Sequence, residues 1–249
     1  MLEISFLGEQ RLAVDGTNVT AAIPQRTQGL IAALVLHPGQ DQLRSSIASA
    51  FWPDSTDEQS LTNLRRELHA LRQRVPEFCS TLHTGGSLIR WEQSRDVRCD
   101  VAEFVTAAEG VAELFTAEAP SVETVRTVEK AVAQYSGELL PAWVDEWVLE
   151  PRERLHRTCV ELLDRLLALP DALVELDRRV AYAARRVELE PFEEAGYRSL
   201  MSLQAAAGDR AAALTTFHRC ASMLERELGV SPDPATVQLY ESLVSATPS

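Results

Sequence analysis

The chain has 249 residues, enough for one large domain or two of ordinary size with a full hydrophobic core. Its apolar content of 45% and charged content of 24% are typical of a soluble globular protein, and the longest apolar run, residues 30–36, is too short to span a bilayer. A net charge of −13 argues against a general nucleic-acid binder.

The negative charge is unevenly distributed along the sequence. Residues 1–100 carry 10 arginines and 12 acidic residues, a balance of −2, whereas residues 101–249 carry 14 basic and 25 acidic residues. Within the first part, residues 61–75 hold four arginines against Glu67. A compact basic face on a nearly neutral domain is compatible with DNA binding that is sensitive to salt.

The first hundred residues predict a small α+β domain. Apolar residues alternate through LEISFLG, RLAV follows, and DGTN is typical of a hairpin turn before VTAAI. Three helices are predicted next, after which STLHTGGSLIRW indicates two short strands around Gly85-Gly86 and VRCDVAEF indicates a strand running into a helix. The first predicted helix follows Pro24, and its apolar body ends at the His37-Pro38-Gly39 break. The other two cover residues 42–52 and residues 57–75.

The third of these helices is strongly amphipathic. Its apolar residues recur at steps of three and four and fall within roughly 80° of arc; they are Leu61, Leu64, Leu68, Leu71 and Val75. The opposite face carries side chains able to hydrogen-bond base edges, with arginines on its flanks. A solvated surface helix is the simplest interpretation, but the strand–helix–hairpin order is that of a winged helix, whose third helix enters the major groove.

From about Val101 onward, helical periodicity replaces strand signals. The predicted helices are 101–116, 121–136, 142–168, 171–189, 193–207, 210–228 and 234–246, separated by Pro or Gly breaks such as Ala119-Pro120. The segment ARRVELEPFEEAGY is echoed about 41 residues later by LERELGVSPDPATVQLY. This favours a tetratricopeptide-like helical array over an unrelated bundle, although the match to the repeat consensus is partial.

Several site classes find no support in the sequence. Cys79, Cys99, Cys159 and Cys220 are scattered without metal-ligand spacing, which predicts free thiols in a reducing cytoplasm and no metal or cofactor. The five histidines are isolated, and no HExxH, GxSxG or Gly-rich phosphate loop occurs, so no catalytic residues are assigned and no enzyme is expected. The start of the chain resembles neither a signal peptide nor a membrane anchor, so a cytoplasmic location is expected.

Taken together, these segments resemble the SARP-type (Streptomyces antibiotic regulatory protein-like) transcriptional regulators. The resemblance rests on the order and spacing of many short matches, including FLG at 6–8, FWPD at 51–54, YSGELLP at 135–141 and LEPFEE at 189–194. It implies an OmpR/PhoB-type winged helix over residues 1–100 and a bacterial transcriptional activation domain, a TPR-like helical array, over residues 101–249. The expected fold class is an α+β winged helix followed by an all-α helical-repeat domain.

The resemblance also implies which residues meet DNA. On the third helix these are Thr62, Asn63, Arg65, Arg66, His69, Arg72 and Gln73. Ala70 departs from the family, whose third helix often carries a basic residue there. The start of the second helix offers Arg44 and Ser45 to a phosphate, and the hairpin, or wing, offers His83, Thr84 and Ser87.

The resemblance further implies an activator that binds double-stranded DNA at promoter direct repeats, as a homodimer at least on DNA, and contacts RNA polymerase. An alternative remains open. The acidic helical array is then a protein-interaction module, or part of a larger signalling regulator, whose winged helix binds DNA weakly or not at all. The first hypothesis requires Arg65, Arg66 and Arg72 for DNA affinity, and the alternative does not.

Overall fold

The computed structural model describes residues 1–117 and 120–245, with only the backbone described at 112–117. The predicted break at Ala119 and the predicted end of the last helix at residue 246 lie outside the described residues. The strands are β1 (Leu2–Ser5), β2 (Arg11–Val14), β3 (Thr17–Asn18), β4 (Gln42–Leu43), β5 (Leu82–Gly85), β6 (Leu88–Trp91) and β7 (Val97–Cys99). The helices are α1 (Gln25–Val35), α2 (Arg44–Phe51), α3 (Asp57–Arg74), α4 (Pro76–Cys79), α5 (Asp100–Ala117), α6 (Val122–Gln134), α7 (Glu146–Ala168), α8 (Leu176–Leu189), α9 (Glu194–Ala206), α10 (Arg210–Leu228) and α11 (Pro234–Ser245).

The chain opens with a four-stranded sheet of order β3-β2-β1-β7. β1 pairs antiparallel with β2 and parallel with β7, so Leu2 lies between Val14 and Val97. The predicted hairpin is confirmed: Asp15 and Gly16, at its tip, have φ of 47° and 79°. Two successive positive φ angles define the type I′ turn that the Asp-Gly pair favours.

The three predicted helices are present as α1, α2 and α3, with one correction. Gln42 and Leu43, predicted as the start of the second helix, form β4 and pair with Ile89 and Leu88 of β6. α2 therefore begins at Arg44. A strand of two residues is too short to show an alternating apolar pattern in the sequence. It is recognised only by its pairing with β6, which lies far along the chain.

The predicted Gly-Gly hairpin is also present and belongs to a second sheet of order β4-β6-β5. Thr84 of β5 lies opposite Ile89 of β6, and Gly86 takes a left-handed φ of 55° in the turn. At the base of the hairpin the buried rings of Phe78 and Trp91 stack with centroids 5.4 Å apart. This contact anchors the wing to the core.

A segment from much later in the chain joins the first sheet. The Gly8 N–H donates to the carbonyl of Glu138 at 2.8 Å, and the Leu140 N–H donates to the carbonyl of Phe6 at 2.9 Å. A Cβ atom on Gly137 would lie 2.8 Å from the Cα of Gly8, so the two backbones can approach only because Gly137 has no side chain.

The same segment then places Trp143 against α1. The buried Trp143 ring fills the space beside Gly29, and its Nε1–H donates to the Gln10 side-chain oxygen at 3.0 Å. Trp147, four residues on, stacks on Phe51 of α2 with centroids 4.9 Å apart. These indoles therefore pack between elements of the first unit.

Within residues 100–117 and 120–245 seven helices follow β7, as predicted, but two of them begin later than expected. α7 begins at Glu146 rather than 142, because Leu140 takes a left-handed φ of 45° and a turn closes from Trp143 N–H to the Leu140 carbonyl. α8 begins at Leu176 rather than 171, after a turn closed from Leu173 N–H to the Pro170 carbonyl. Helical periodicity alone does not distinguish such turns from a first helical turn.

The contacts divide the chain into two compact units that are not consecutive in sequence. The first contains Met1–Ala117 and Lys130–Thr158, and the second contains Glu118–Glu129 and Cys159–Ser249. The boundary at residue 100, drawn from the sequence pattern, stays a prediction.

In the second unit, consecutive helices pack side by side. Val187 of α8, Tyr197 of α9 and Leu224 of α10 share one buried cluster. On the other side of α9 and α10, the Phe217 ring stacks on Tyr240 of α11 with centroids 4.1 Å apart.

Gly29→Ala tests the contact between Trp143 and α1. A Cβ at Gly29 would lie 2.7 Å from the Trp143 ring, so the indole must move. Overpacking of this kind costs about 1–3 kcal/mol of unfolding free energy. The matched control is Gly110→Ala in α5, where a Cβ meets open space and the change should stabilise by up to about 1 kcal/mol. Urea unfolding followed by tryptophan fluorescence measures both, and equal effects would contradict the packing described.

Asp100→Ala tests the junction between β7 and α5. The Asp100 carboxylate accepts the N–H groups of Phe6, Leu7 and Val101 at 2.7–3.1 Å, so its loss should cost about 2–3 kcal/mol of unfolding free energy at neutral pH. Asp96→Ala, at an exposed position, is the matched control.

The stability difference between wild type and Asp100→Ala should decrease as the pH rises. Burial raises the pKa of the Asp100 carboxyl to about 6, while the three N–H donors lower it. Because the folded pKa lies above the unfolded value of 3.8, ionisation favours the unfolded chain, and the stabilisation by Asp100 falls as the pH rises through 6. The stability difference between wild type and Asp100→Ala should therefore be larger at about pH 5 than at about pH 7.5. A difference that grows with pH would contradict this.

Candidate nucleic-acid interface

α3 presents one face to the core and the other to solvent. Its N-terminus is capped by Thr56, whose hydroxyl accepts the Gln59 N–H at 3.4 Å. Arg72 and Arg74 lie in the last turn, where positive charge complements the helix dipole. Leu64, Leu68 and Leu71 are buried, which fixes the orientation of the opposite, polar face.

The structure places the predicted α3 residues on three sides of the helix. At 100° per residue, Thr62, Arg66, His69 and Gln73 lie between about 140° and 200° from Leu64. Arg65 and Arg72 lie about 80–100° to one side, and Asn63 lies about 100° to the other. All are exposed except Thr62 and Asn63, which are half-buried. Asn63 is thus separated from the two flanking arginines by the outward face.

The wing lies on the Arg72 side of α3. The Arg72 Nη2 donates to the hydroxyl of Thr84 at 2.9 Å, so the last turn of α3 and strand β5 are joined by a hydrogen bond. His83, Thr84 and Ser87 are all exposed, as a backbone-contacting wing requires. Two predicted regions, the third helix and the wing, therefore meet.

The start of α2 is joined to the tip of the wing. The Arg44 N–H donates to the carbonyl of Ser87 at 2.8 Å, and Ser45 follows at an exposed position. α2 has no side-chain cap at its N-terminus. Its next backbone N–H groups, which have no partner within a helix, point out of this end and favour an anion there.

The carboxylates near the face limit its positive charge. His83 Nε2 lies 3.5 Å from a Glu92 oxygen, and Glu92 also lies 3.2 Å from Arg90 Nε, so the predicted wing histidine faces an acid. Glu67, beside Asn63, accepts a hydrogen bond from Thr27 of α1. Both pairings depend on tertiary neighbours, and the sequence did not predict them.

Two exposed residues on the outward face, Glu58 and Gln59, were not among the predicted contacts. Glu58, in the first turn of α3, is exposed and lies one turn before Thr62. A carboxylate there repels phosphate but accepts a hydrogen bond from the N4 amino group of cytosine. The position of Glu58 beside Thr62 could be inferred from helical spacing alone, because residues four apart lie on the same face of a helix.

The four cysteines are free, as predicted: Cys79 is half-buried and the other three are buried. Burial raises the pKa of the Cys79 thiol to about 11, although the nearby Arg72 guanidinium lowers it. Burial likewise raises the pKa of Cys159 to about 12. Such thiols are almost entirely protonated at neutral pH and react poorly.

Neither a metal-binding cluster nor a membrane-spanning helix occurs among the described residues. No group of three or more His, Cys, Asp or Glu side chains is placed to hold a metal ion there. Within the same residues, no helix combines the length and apolarity needed to cross a membrane.

Comparison with known proteins decides the family. The model of the bacterial transcriptional activator domain matches residues 99–244, more than half of the chain. The chain belongs to the bacterial transcriptional activator domain family. The regulatory protein AfsR of Streptomyces griseus is 24% identical over 245 residues, covering 98% of this chain and 25% of AfsR. The transcriptional regulatory protein MoaR1 of Mycobacterium tuberculosis is 24% identical over 260 residues, covering 99% of this chain and 80% of MoaR1.

A solved structure shows the fold. Mycobacterium tuberculosis EmbR, in complex with a low-affinity phosphopeptide, matches 99% of this chain and 66% of its own with a TM-score of 0.58 and 18% identity. The predicted class, a winged helix followed by a TPR-like helical domain, is confirmed. The resemblance to SARP-type transcriptional regulators that the sequence indicated is confirmed by the family match and by the alignments with AfsR and MoaR1. It spans about a quarter of the length of AfsR.

Proposed function

We propose that this regulator binds double-stranded DNA sequence-specifically, at direct repeats near a promoter, and activates transcription by contacting RNA polymerase. The observation that carries the proposal is the joined surface of α3, the wing and α2. Arg72 bonds to Thr84 and Arg44 bonds to Ser87, so three DNA-contacting elements of a winged helix are fixed to one another before any DNA arrives.

The chemistry of that surface divides into base reading and backbone contact. Arg66, on the outward face, is suited to a bidentate contact with guanine O6 and N7, and Gln73 to adenine. Arg65 and Arg72 on the wing flank, with Ser45 and Ser87, are suited to phosphate oxygens. Glu58 would add discrimination at the first turn by favouring cytosine and disfavouring close phosphates.

The family supports the remaining parts of the proposal. AfsR and MoaR1 are described as regulatory proteins, and this chain aligns with them over almost all of its length. A side-by-side pair on direct repeats, a homodimer at least on DNA, fits a chain with one winged helix, because each repeat then receives one copy of α3. In this proposal the acidic helical domain, which does not contact DNA, contacts RNA polymerase.

The first test is a salt titration of binding to promoter DNA from the regulator's own gene neighbourhood. Wild type is compared with an Arg65/Arg66/Arg72→Ala variant by fluorescence anisotropy. Each lost phosphate contact lowers the slope of log affinity against log salt by about 0.9, so removal of Arg65 and Arg72 should lower it by about 2. Affinity at low salt should fall by at least about tenfold.

A charge-matched variant controls for net charge. Arg95, Arg126 and Arg157 are exposed arginines that belong to neither α2, α3 nor the wing, and their replacement by Ala changes the total charge equally. Circular dichroism confirms that both variants fold. Equal losses in the two variants would make the effect one of total charge. Absence of binding by wild type at low salt would contradict DNA binding and favour the protein-interaction alternative.

The second test separates base reading from backbone contact. Arg66→Ala should cost about 1–3 kcal/mol on the preferred site and relax the preference at one base position. Arg72→Ala should weaken binding to all sequences nearly equally, because it removes a backbone contact and the bond to the wing. Selection from a randomised DNA pool with each variant measures both effects. A uniform loss for Arg66→Ala would assign that residue to phosphate instead.

A further inference from the structure

One end of the helical array exposes large apolar side chains. Phe192, in the loop between α8 and α9, is 52% exposed, and Leu228 and Val230, at the loop between α10 and α11, are 54% and 47% exposed. Single exposed apolar residues are ordinary, whereas an apolar group rimmed by polar residues is typical of an interaction surface.

The two loops are held at the same end. The Asp233 N–H, just before α11, donates to both carboxylate oxygens of Glu194 in the first turn of α9 at 2.9 Å. Val187 near the end of α8 and Leu224 near the end of α10 share one buried cluster. The C-terminal ends of α8 and α10 and the N-terminal ends of α9 and α11 therefore lie together.

Negative charge surrounds these apolar side chains. Residues 186–194 and 225–234 contain seven carboxylates and two arginines, a balance of −5. Both arginines already contact carboxylates within the unit: Arg186 bonds to Asp164 and Glu193, and Arg226 bonds to Glu227. Their positive charge is thus offset by acids of the same unit.

Three of the carboxylates occupy positions that a helix disfavours. Glu225 and Glu227 lie in the last turn of α10, and Glu188, in the last turn of α8, is already paired with Arg185 at 2.9 Å. The C-terminal end of a helix carries a partial negative charge, so acids there are destabilising and a cation is favoured. A bound positive group would relieve this repulsion, while neighbouring apolar side chains would be covered.

We infer that this end of the helical array, defined by Phe192, Leu228 and Val230 with their acidic rim, is a docking surface for a basic amphipathic segment of a partner protein. An apolar face on that segment would cover the three side chains, and lysines or arginines beside it would meet the carboxylates. The inference rests on the proposed function only in that an activator must engage a protein partner, and its test does not involve DNA.

The probe is a helical peptide with leucines along one face and lysines along the other, titrated into the full chain by isothermal calorimetry. Wild type should bind it saturably, and added salt should weaken binding, since the rim is charged. A Phe192/Leu228/Val230→Ser variant should lose at least about tenfold in affinity, because apolar anchors carry most of the energy of such contacts.

Two controls make the result specific. Val244→Ser changes an apolar side chain of similar exposure, 47%, near the opposite end of α11, and should bind the peptide like wild type. A peptide of the same composition, scrambled so that its leucines share no face, should bind at least about tenfold more weakly. Promoter DNA binding by the triple variant is measured in parallel and should equal that of wild type, which separates this inference from the DNA-binding proposal.

Four outcomes would overturn the inference. They are no binding by wild type, equal binding by wild type and the triple variant, equal binding of the ordered and scrambled peptides, and loss of binding in Val244→Ser as large as in the triple variant. Sedimentation supplies a fifth: a wild-type dimer that the triple substitution dissociates would assign the surface to a second copy of the chain.

Discussion

The first compact unit depends on the contact between residues 136–143 and the opening strands. The close approach of Gly137 to Gly8 lets the backbone of residues 138–140 bond to that of Phe6 and Gly8, as an added strand would. Trp143 then fills the space beside Gly29. Because α1 carries Gly29 on one side and contacts α3 through Thr27 on another, the support of α3 reaches beyond the first hundred residues. A winged helix cut at residue 100 would lose the indole that packs against its first helix.

The candidate interface is preorganised by backbone and side-chain bonds of ordinary strength. The Phe78 and Trp91 stack fixes the base of the wing, the Ser87 carbonyl fixes the start of α2, and Thr84 holds Arg72. Each bond contributes little alone. Together they reduce the number of side chains that must be ordered on DNA, and less of the interaction energy is then spent on ordering.

Much of this architecture could be predicted from the sequence, because its signals are local. The periodicity of Leu64, Leu68 and Leu71 located α3 and its outward face, and the Asp15-Gly16 and Gly85-Gly86 pairs located both hairpins. The features that escaped prediction depend on partners far along the chain. β4 is a strand only because β6 lies beside it. The acid facing His83 and the place of Trp143 beside Gly29 likewise depend on tertiary packing, which no local pattern encodes.

The cysteine thiols can serve as probes of local unfolding. Cys79 and Cys99 lie in the first compact unit, and Cys159 and Cys220 lie in the second. Burial raises the pKa of all four, and alkylating reagents reach the three fully buried thiols, Cys99, Cys159 and Cys220, mainly when the surrounding structure opens. The first unit therefore carries one fully buried native reporter of its own local unfolding, Cys99, and the second unit carries two. Mass spectrometry of the modified peptides would follow the opening of the two units separately in one unmodified chain.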